Sequence, residues 1–290
     1  MSSRTLWLGA GLTVLVSILF SINSTLARVT YDAGSNALTL NTVRIGVAAV
    51  VLYLVLRIGG LPVRLPPRER VIAFGFGVML GAYSFFLYRS IEEMPVALCI
   101  ITFYLYPLLT GIASAMLGVE RMTAATAAAL VIALAGLTVA LDVWDKAPSP
   151  LGVALAAASA ITFTIVIVMN GRLIRGIDSR PVTLHMLIAG ALSTGLVTFA
   201  SGSFALPQGG EAQLAFGIVV VLYAIAIIGF FIGLAMIGPV KTALFMHAEP
   251  VASLILGVLI LDQVLAPIQW IGAAVVIAAM VGARLEAMRR

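Results

Sequence analysis

Apolar residues run along this chain in stretches of about 20, the length that spans a bilayer as a helix. Short breaks rich in Pro, Gly and charge divide them. Ten candidate helices follow, over roughly 6–27, 35–57, 70–90, 95–118, 123–142, 150–171, 181–200, 213–237, 240–261 and 266–285. The predicted fold class is an all-α polytopic membrane protein. No break is long enough for a folded soluble domain, so the chain works within the bilayer. The first run, WLGAGLTVLVSILFSINSTLA, is long for a signal-peptide core and leads to no small-residue cleavage site, which predicts a retained first span.

Composition agrees. Of the 290 residues 62% are hydrophobic and 10% charged, against about 45–50% and about 25% in a soluble domain. Mean hydropathy is +1.15. The lone Cys99 sits in an apolar run, cannot form an intramolecular disulfide and reads as a small buried hydrophobe. An isoelectric point near 9.7 raises the question of nucleic acid, but the basic residues lie in the breaks, as topology signals do. Thirteen of the 17 Lys and Arg fall on one side, from Arg4 through Arg64, Arg121, Arg172 and Lys241 to Arg290. Arg28, Arg89 and Lys146 fall on the other, and Arg44 is left inside the second span. The positive-inside rule then places both termini in the cytoplasm. Trp7, Trp144 and Trp270 stand near span ends, as interfacial anchors do.

The pattern also repeats. Spans four and five carry a leading Pro95, a mid-helix Pro107 and an acid at the turn, Glu120; spans nine and ten carry Pro239, Pro250 and Asp262 in the same order and at matching spacing. The chain thus divides into two repeats, residues 1–146 and 147–290. With five spans in each, the second enters the membrane upside down. Such inverted-topology repeats are common in secondary transporters and place a site near the midplane.

These landmarks, with LGVERMT and LILDQVLAP at the helix turns and Arg44 in the second span, make the chain resemble the drug/metabolite transporter superfamily in its EamA-type ten-helix branch. The resemblance covers nearly the whole chain. Within the branch, YLYP (Tyr104 to Pro107) is similar to the aromatic–Leu–aromatic–Pro of YddG-type exporters of aromatic amino acids, whereas AEP (Ala248 to Pro250) is closer to the generic pattern. The resemblance implies export of a small metabolite, aromatic amino acids first, across a bacterial inner membrane.

The stretch FMHAEP (Phe245 to Pro250) places a histidine, an acid and a proline where an apolar helix should have none. A mid-helix proline removes one backbone hydrogen bond and disturbs the carbonyl four residues back, here that of Met246 for Pro250 and of Phe103 for Pro107. In hydrocarbon such groups survive only if buried in protein or lining a wet cavity. Superposing the two prolines sets Tyr104 opposite His247 and Tyr106 opposite Glu249. The functional reading is a substrate cavity with Glu249 toward an ammonium group, His247 and Tyr104 as stacking or hydrogen-bonding groups, and Pro107 and Pro250 as hinges. The bland one is two bent helices with Glu249 held by a buried partner. Arg44 either binds a carboxylate or, as favoured here, pairs structurally with an acid such as Asp142. Tyr83, Ser84, Ser17, Ser21, Thr162 and Tyr223 are further candidates for the cavity wall. Gly77 and Gly81, and Gly229 and Gly233, read as close-packing pairs. His185, near the start of span seven, reads as interfacial.

Two other classes were weighed. A membrane-embedded enzyme needs a constellation such as HExxH, and the two histidines belong to no metal-spacing cluster. A scaffold has no need of two pseudosymmetric halves. The chain has no GxxxxGK[ST] loop for ATP, and nothing in its pattern calls for a cofactor. The expected partners are membrane lipid and a small-molecule substrate. Proton coupling through Glu249 or His247 and simple facilitated diffusion both fit, as does export of lipophilic cations.

Overall fold

The computed structural model describes residues 3–144, 147–174, 177–261 and 264–289, and among these the regular structure is entirely helical. The first half comprises α1 (Ser3–Asp32), α2 (Ala37–Ile58), α3 (Pro67–Glu93), α4 (Val96–Phe103), α5 (Tyr106–Met116) and α6 (Ala124–Ala140). The second comprises α7 (Pro150–Leu173), α8 (Ser179–Ala200), α9 (Gly210–Ile237), α10 (Pro239–Phe245), α11 (Ala248–Leu261) and α12 (Pro267–Arg289). Eight segments of the described chain are long and apolar enough to cross a membrane, with α4–α5 and α10–α11 each forming one. The apolar parts of the expected fifth and tenth spans are shorter, Ala124–Ala140 and Pro267–Ala283: the 17 residues of α6 give about 25 Å of helix against a hydrocarbon core of about 30 Å. Short polar caps separate the helices. Asn36 accepts from the Thr39 amide at 2.8 Å, Thr123 from Thr126 at 3.1 Å and Asp178 from Arg180 at 2.9 Å.

The prolines do more than kink their spans. Each span is divided into two helices, at Tyr104–Leu105 and at Met246–His247, with Pro107 and Pro250 in the first turn of the second piece. Proline is tolerated there because its missing N–H belongs to a turn that has no intrahelical acceptor.

Packing follows the repeat. α1 lies along α9 as α7 lies along α3, α3 meets α8 as α9 meets α2, and α1 meets α11 as α7 meets α5. Exchange of the two halves therefore maps each of these contacts onto another. α2 against α8 and α6 against α12 map onto themselves.

Glycine sets the approach of these helices. A Cβ on Gly77 of α3 would strike the Met186 carbonyl and come within 2.7 Å of Ala189 Cβ on α8. One on Gly81 would meet the Ser193 hydroxyl at 2.9 Å. On α9, Gly229 and Gly233 lie in the same way against Val16 and Thr13 of α1, at 2.8 Å each. The expected close-packing pairs are thus at helix crossings, and Gly136 and Gly272 do the same between α6 and α12.

Glu120 serves the other repeat and not its own turn. Its Oε2 accepts from the Val240 amide at 2.9 Å and its Oε1 pairs with Lys241 Nζ at 2.6 Å, which caps α10. Lys241, expected only as an orientation charge, is therefore also an ion-pair partner. Asp262, and the orientation charges Lys146, Arg175 and Arg290, lie outside the described residues.

Candidate functional site

The two breaks face each other. Where α4 ends, Tyr104 turns its hydroxyl across the repeat boundary, donating to Glu249 Oε2 at 3.2 Å and lying 3.4 Å from the Met246 carbonyl. That carbonyl is the one Pro250 disturbs, and it also accepts from the Glu249 amide at 3.0 Å. The carbonyl expected to be freed thus keeps two donors at the break. The Tyr104 and His247 rings meet edge to face at 5.4 Å, so the positions set opposite each other by superposing the prolines are in contact.

His247 is buried, with Nδ1 3.1 Å from the Leu244 carbonyl. Its Nε2 is buried without a partner among the described residues. From α1, the Ser17 hydroxyl reaches the Phe245 carbonyl at 3.4 Å and Met246 Sδ at 3.3 Å, while Ser21 pairs with Ser253 of α11 at 2.9 Å. In the other repeat Thr164 of α7 donates to the Tyr106 carbonyl at 3.3 Å.

An aromatic wall adjoins this contact. Phe163 of α7 is its hub, stacked on Tyr83 at 4.5 Å and set edge-on to Tyr106 at 4.9 Å. Phe103 lies 5.7 Å and Phe230 6.0 Å from the same ring. Offset and edge-to-face pairs of this kind are the favoured contacts between aromatic rings.

Beside it lies a polar cluster built on Arg44. The guanidinium donates from Nε and Nη2 to Asn41 Oδ1 at 3.1 and 2.9 Å and from Nη1 to Asn23 Oδ1 at 3.2 Å, and it sits 4.4 Å over the Tyr223 ring. Ser84 donates to the same Asn41 oxygen at 3.2 Å. Asn23 is fixed in turn by its own bond to the Val219 carbonyl at 2.5 Å. The pairing of Arg44 with Asp142 does not form. Asp142 is exposed at the end of α6 with a φ of 46°, whereas the buried guanidinium bonds the Asn41 and Asn23 carboxamides and lies over the Tyr223 ring.

The predicted residues therefore fall into one neighbourhood, apart from Thr162. That residue is half-buried on α7 and is not among the side chains these contacts join, whereas its neighbours Phe163 and Thr164 are. Asn23 and Asn41 were missed, although Asn41 lies three residues before Arg44, a spacing that puts both on one helix face. Phe103, Phe163 and Phe230 left no sequence signal, since an aromatic in an apolar helix reads alike facing lipid or core. His185 is half-buried, with Nδ1 2.8 Å from the Pro181 carbonyl, apart from the site. A cavity of about 370 Å³ opens elsewhere, lined by Asn36, Phe85, Arg89 and Ser203 among others, and no predicted site residue lines it.

The profile of the EamA-like transporter family matches this chain twice, over residues 7–141 and 150–285. Among curated proteins none matches. A solved crystal structure superposes with a TM-score of 0.81 at 26% identity, over 97% of this chain and 99% of the other, and 29 solved chains match in all.

Proposed function

The chain belongs to the EamA-like transporter family, a family of membrane transporters and not of enzymes, and from that premise we propose that it exports a small zwitterionic metabolite, an aromatic amino acid first, across the bacterial inner membrane. The observation that carries the reading is the conjunction at the two breaks. Glu249, bonded to Tyr104, stands with the aromatic rings around Phe163 and the buried Arg44 cluster in one neighbourhood. An ammonium group suits Glu249 and the break carbonyls, a carboxylate suits the Arg44 side, and a ring suits Phe163 and its neighbours. A site for lipophilic cations needs an acid with no compensating cation, whereas this neighbourhood also holds the buried Arg44.

On this reading residues 1–146 and 147–290 are the two inverted halves of one transport unit. They rock about the breaks at Pro107 and Pro250, so that the Tyr104–Glu249 contact opens to one side and then the other. Both termini face the cytoplasm, on the side of Lys241 and Arg121.

Counterflow in proteoliposomes tests the assignment. Vesicles loaded with unlabelled phenylalanine, tyrosine or tryptophan are expected to accumulate the labelled amino acid saturably, with tetraphenylphosphonium a poor competitor. The same uptake with and without a pH gradient separates proton coupling from facilitated diffusion. Exchange of the lipophilic cation alone would move the substrate to that class.

A further inference from the structure

A hydroxyl on a transmembrane helix commonly bonds the carbonyl four residues back. This chain does so at Thr13, Thr102, Thr138, Thr194 and Thr198. Near the end that carries the Glu120–Lys241 pair the habit breaks. Thr110 and Ser114 on α5 and Thr242 on α10 are fully buried, and their hydroxyl oxygens have no hydrogen-bond partner among the described residues. Neither does either carboxamide atom of Asn170 on α7, itself 1% exposed.

Ser90 on α3 is a further buried hydroxyl of this kind, but those on α5, α7 and α10 lie together. α5, α7 and α10 pack against one another. Gly171, beside Asn170, lies so close to Pro239 that a Cβ would sit 3.3 Å from the proline ring, and Thr242 is one turn further along α10. Thr110 and Ser114 are four residues apart on the α5 face that begins at Tyr106. The groups thus occupy successive levels between the two breaks and the capped start of α10, and the unpartnered His247 Nε2 stands at their inner end.

The other repeat shows what a sealed version looks like. Ser253 follows Pro250 by three residues, as Thr110 follows Pro107, and its hydroxyl is paired with Ser21 of α1 at 2.9 Å. At α5 the corresponding pairing is missing. Thr164 donates instead to the Tyr106 carbonyl at 3.3 Å, the group Thr110 would otherwise use. Leaving hydroxyls and a carboxamide unbonded in an apolar interior is costly. A buried water satisfies about three such groups at once. We propose that Thr110, Ser114, Asn170 and Thr242 line a buried file of water that connects the Glu120–Lys241 end of the bundle to His247. The inference rests on the substrate-site reading for what the file reaches, and on the orphaned groups for the file itself.

Thiol reactivity measures hydration directly, because the attacking species is the thiolate. In a Cys99→Ala parent, Ser114→Cys, Asn170→Cys and Thr242→Cys are treated in membrane vesicles with methanethiosulfonate ethylammonium. Ala243→Cys and Val168→Cys, equally buried beside Thr242 and Asn170, supply the dry reference. Only variants that elute as a single species are scored. Labelling roughly tenfold or more faster than the reference at two of the three positions is the expected result. Reference rates at two or more overturn the proposal. Counterflow by the parent is read separately. A parent that exchanges no amino acid yet labels at these positions removes the proposed substrate and leaves the water file standing.

Discussion

Glu249→Gln is expected to lower amino-acid counterflow by roughly thirtyfold, with the amount of folded protein unchanged. The side chain is half-buried and keeps its shape, so packing survives. What is lost is the negative charge, since the Gln amide oxygen can still accept the Tyr104 hydroxyl. Removing one charge from a partly buried, hydrogen-bonded arrangement costs about 2 kcal/mol, and about 1.4 kcal/mol is a factor of ten. Tyr104→Phe removes only the neutral donor and should cost about 1 kcal/mol, roughly fivefold. Initial rates over a substrate series check both, and the ranking matters as much as the size. A Tyr104→Phe defect larger than that of Glu249→Gln would shift recognition from the charge to the ring.

Gly77→Val is expected to remove folded transporter altogether. The atoms that a Cβ would strike are a helix carbonyl at Met186 and the side chain of Ala189, and neither can swing aside. The α3–α8 pair would have to separate, and overpacking of a well-packed contact costs about 1–3 kcal/mol even where side chains can yield. Gly75→Val on the same helix is the control, because a Cβ there meets nothing within 4 Å. Size-exclusion profiles of the two variants should differ sharply: a single peak for Gly75→Val, aggregate or no protein for Gly77→Val.

Much of this architecture was legible beforehand because proline, glycine and charge leave few options in a bilayer. Pro107 and Pro250 announced two bent spans, which the structure divides outright, and their spacing from Pro95 and Pro239 announced that these spans correspond. Gly77 and Gly229 announced close crossings. What stayed hidden has a common physical cause. Arg44 bonds two neutral carboxamides and lies over a ring face, and a search for an opposite charge passes over such groups and settles on Asp142. The Phe163 hub is apolar in an apolar helix, so only the packing of α7 on α3 and α5 tells which way it faces. Glu120 was recognised as a terminal residue, but the terminus it caps belongs to α10, and an acid's sequence neighbours say nothing of a helix more than a hundred residues away.

The central claim is that the two breaks together form the substrate site, and equilibrium binding tests it with least intervening mechanism. Tritiated phenylalanine or tryptophan is titrated onto purified wild-type protein and onto the Tyr104→Phe/Glu249→Gln double variant, after both are shown to elute alike. Saturable binding to the wild type that is lost in the double variant is the predicted result. Binding of undiminished affinity in the double variant would place the site elsewhere and leave the Tyr104–Glu249 contact as a brace between two halves.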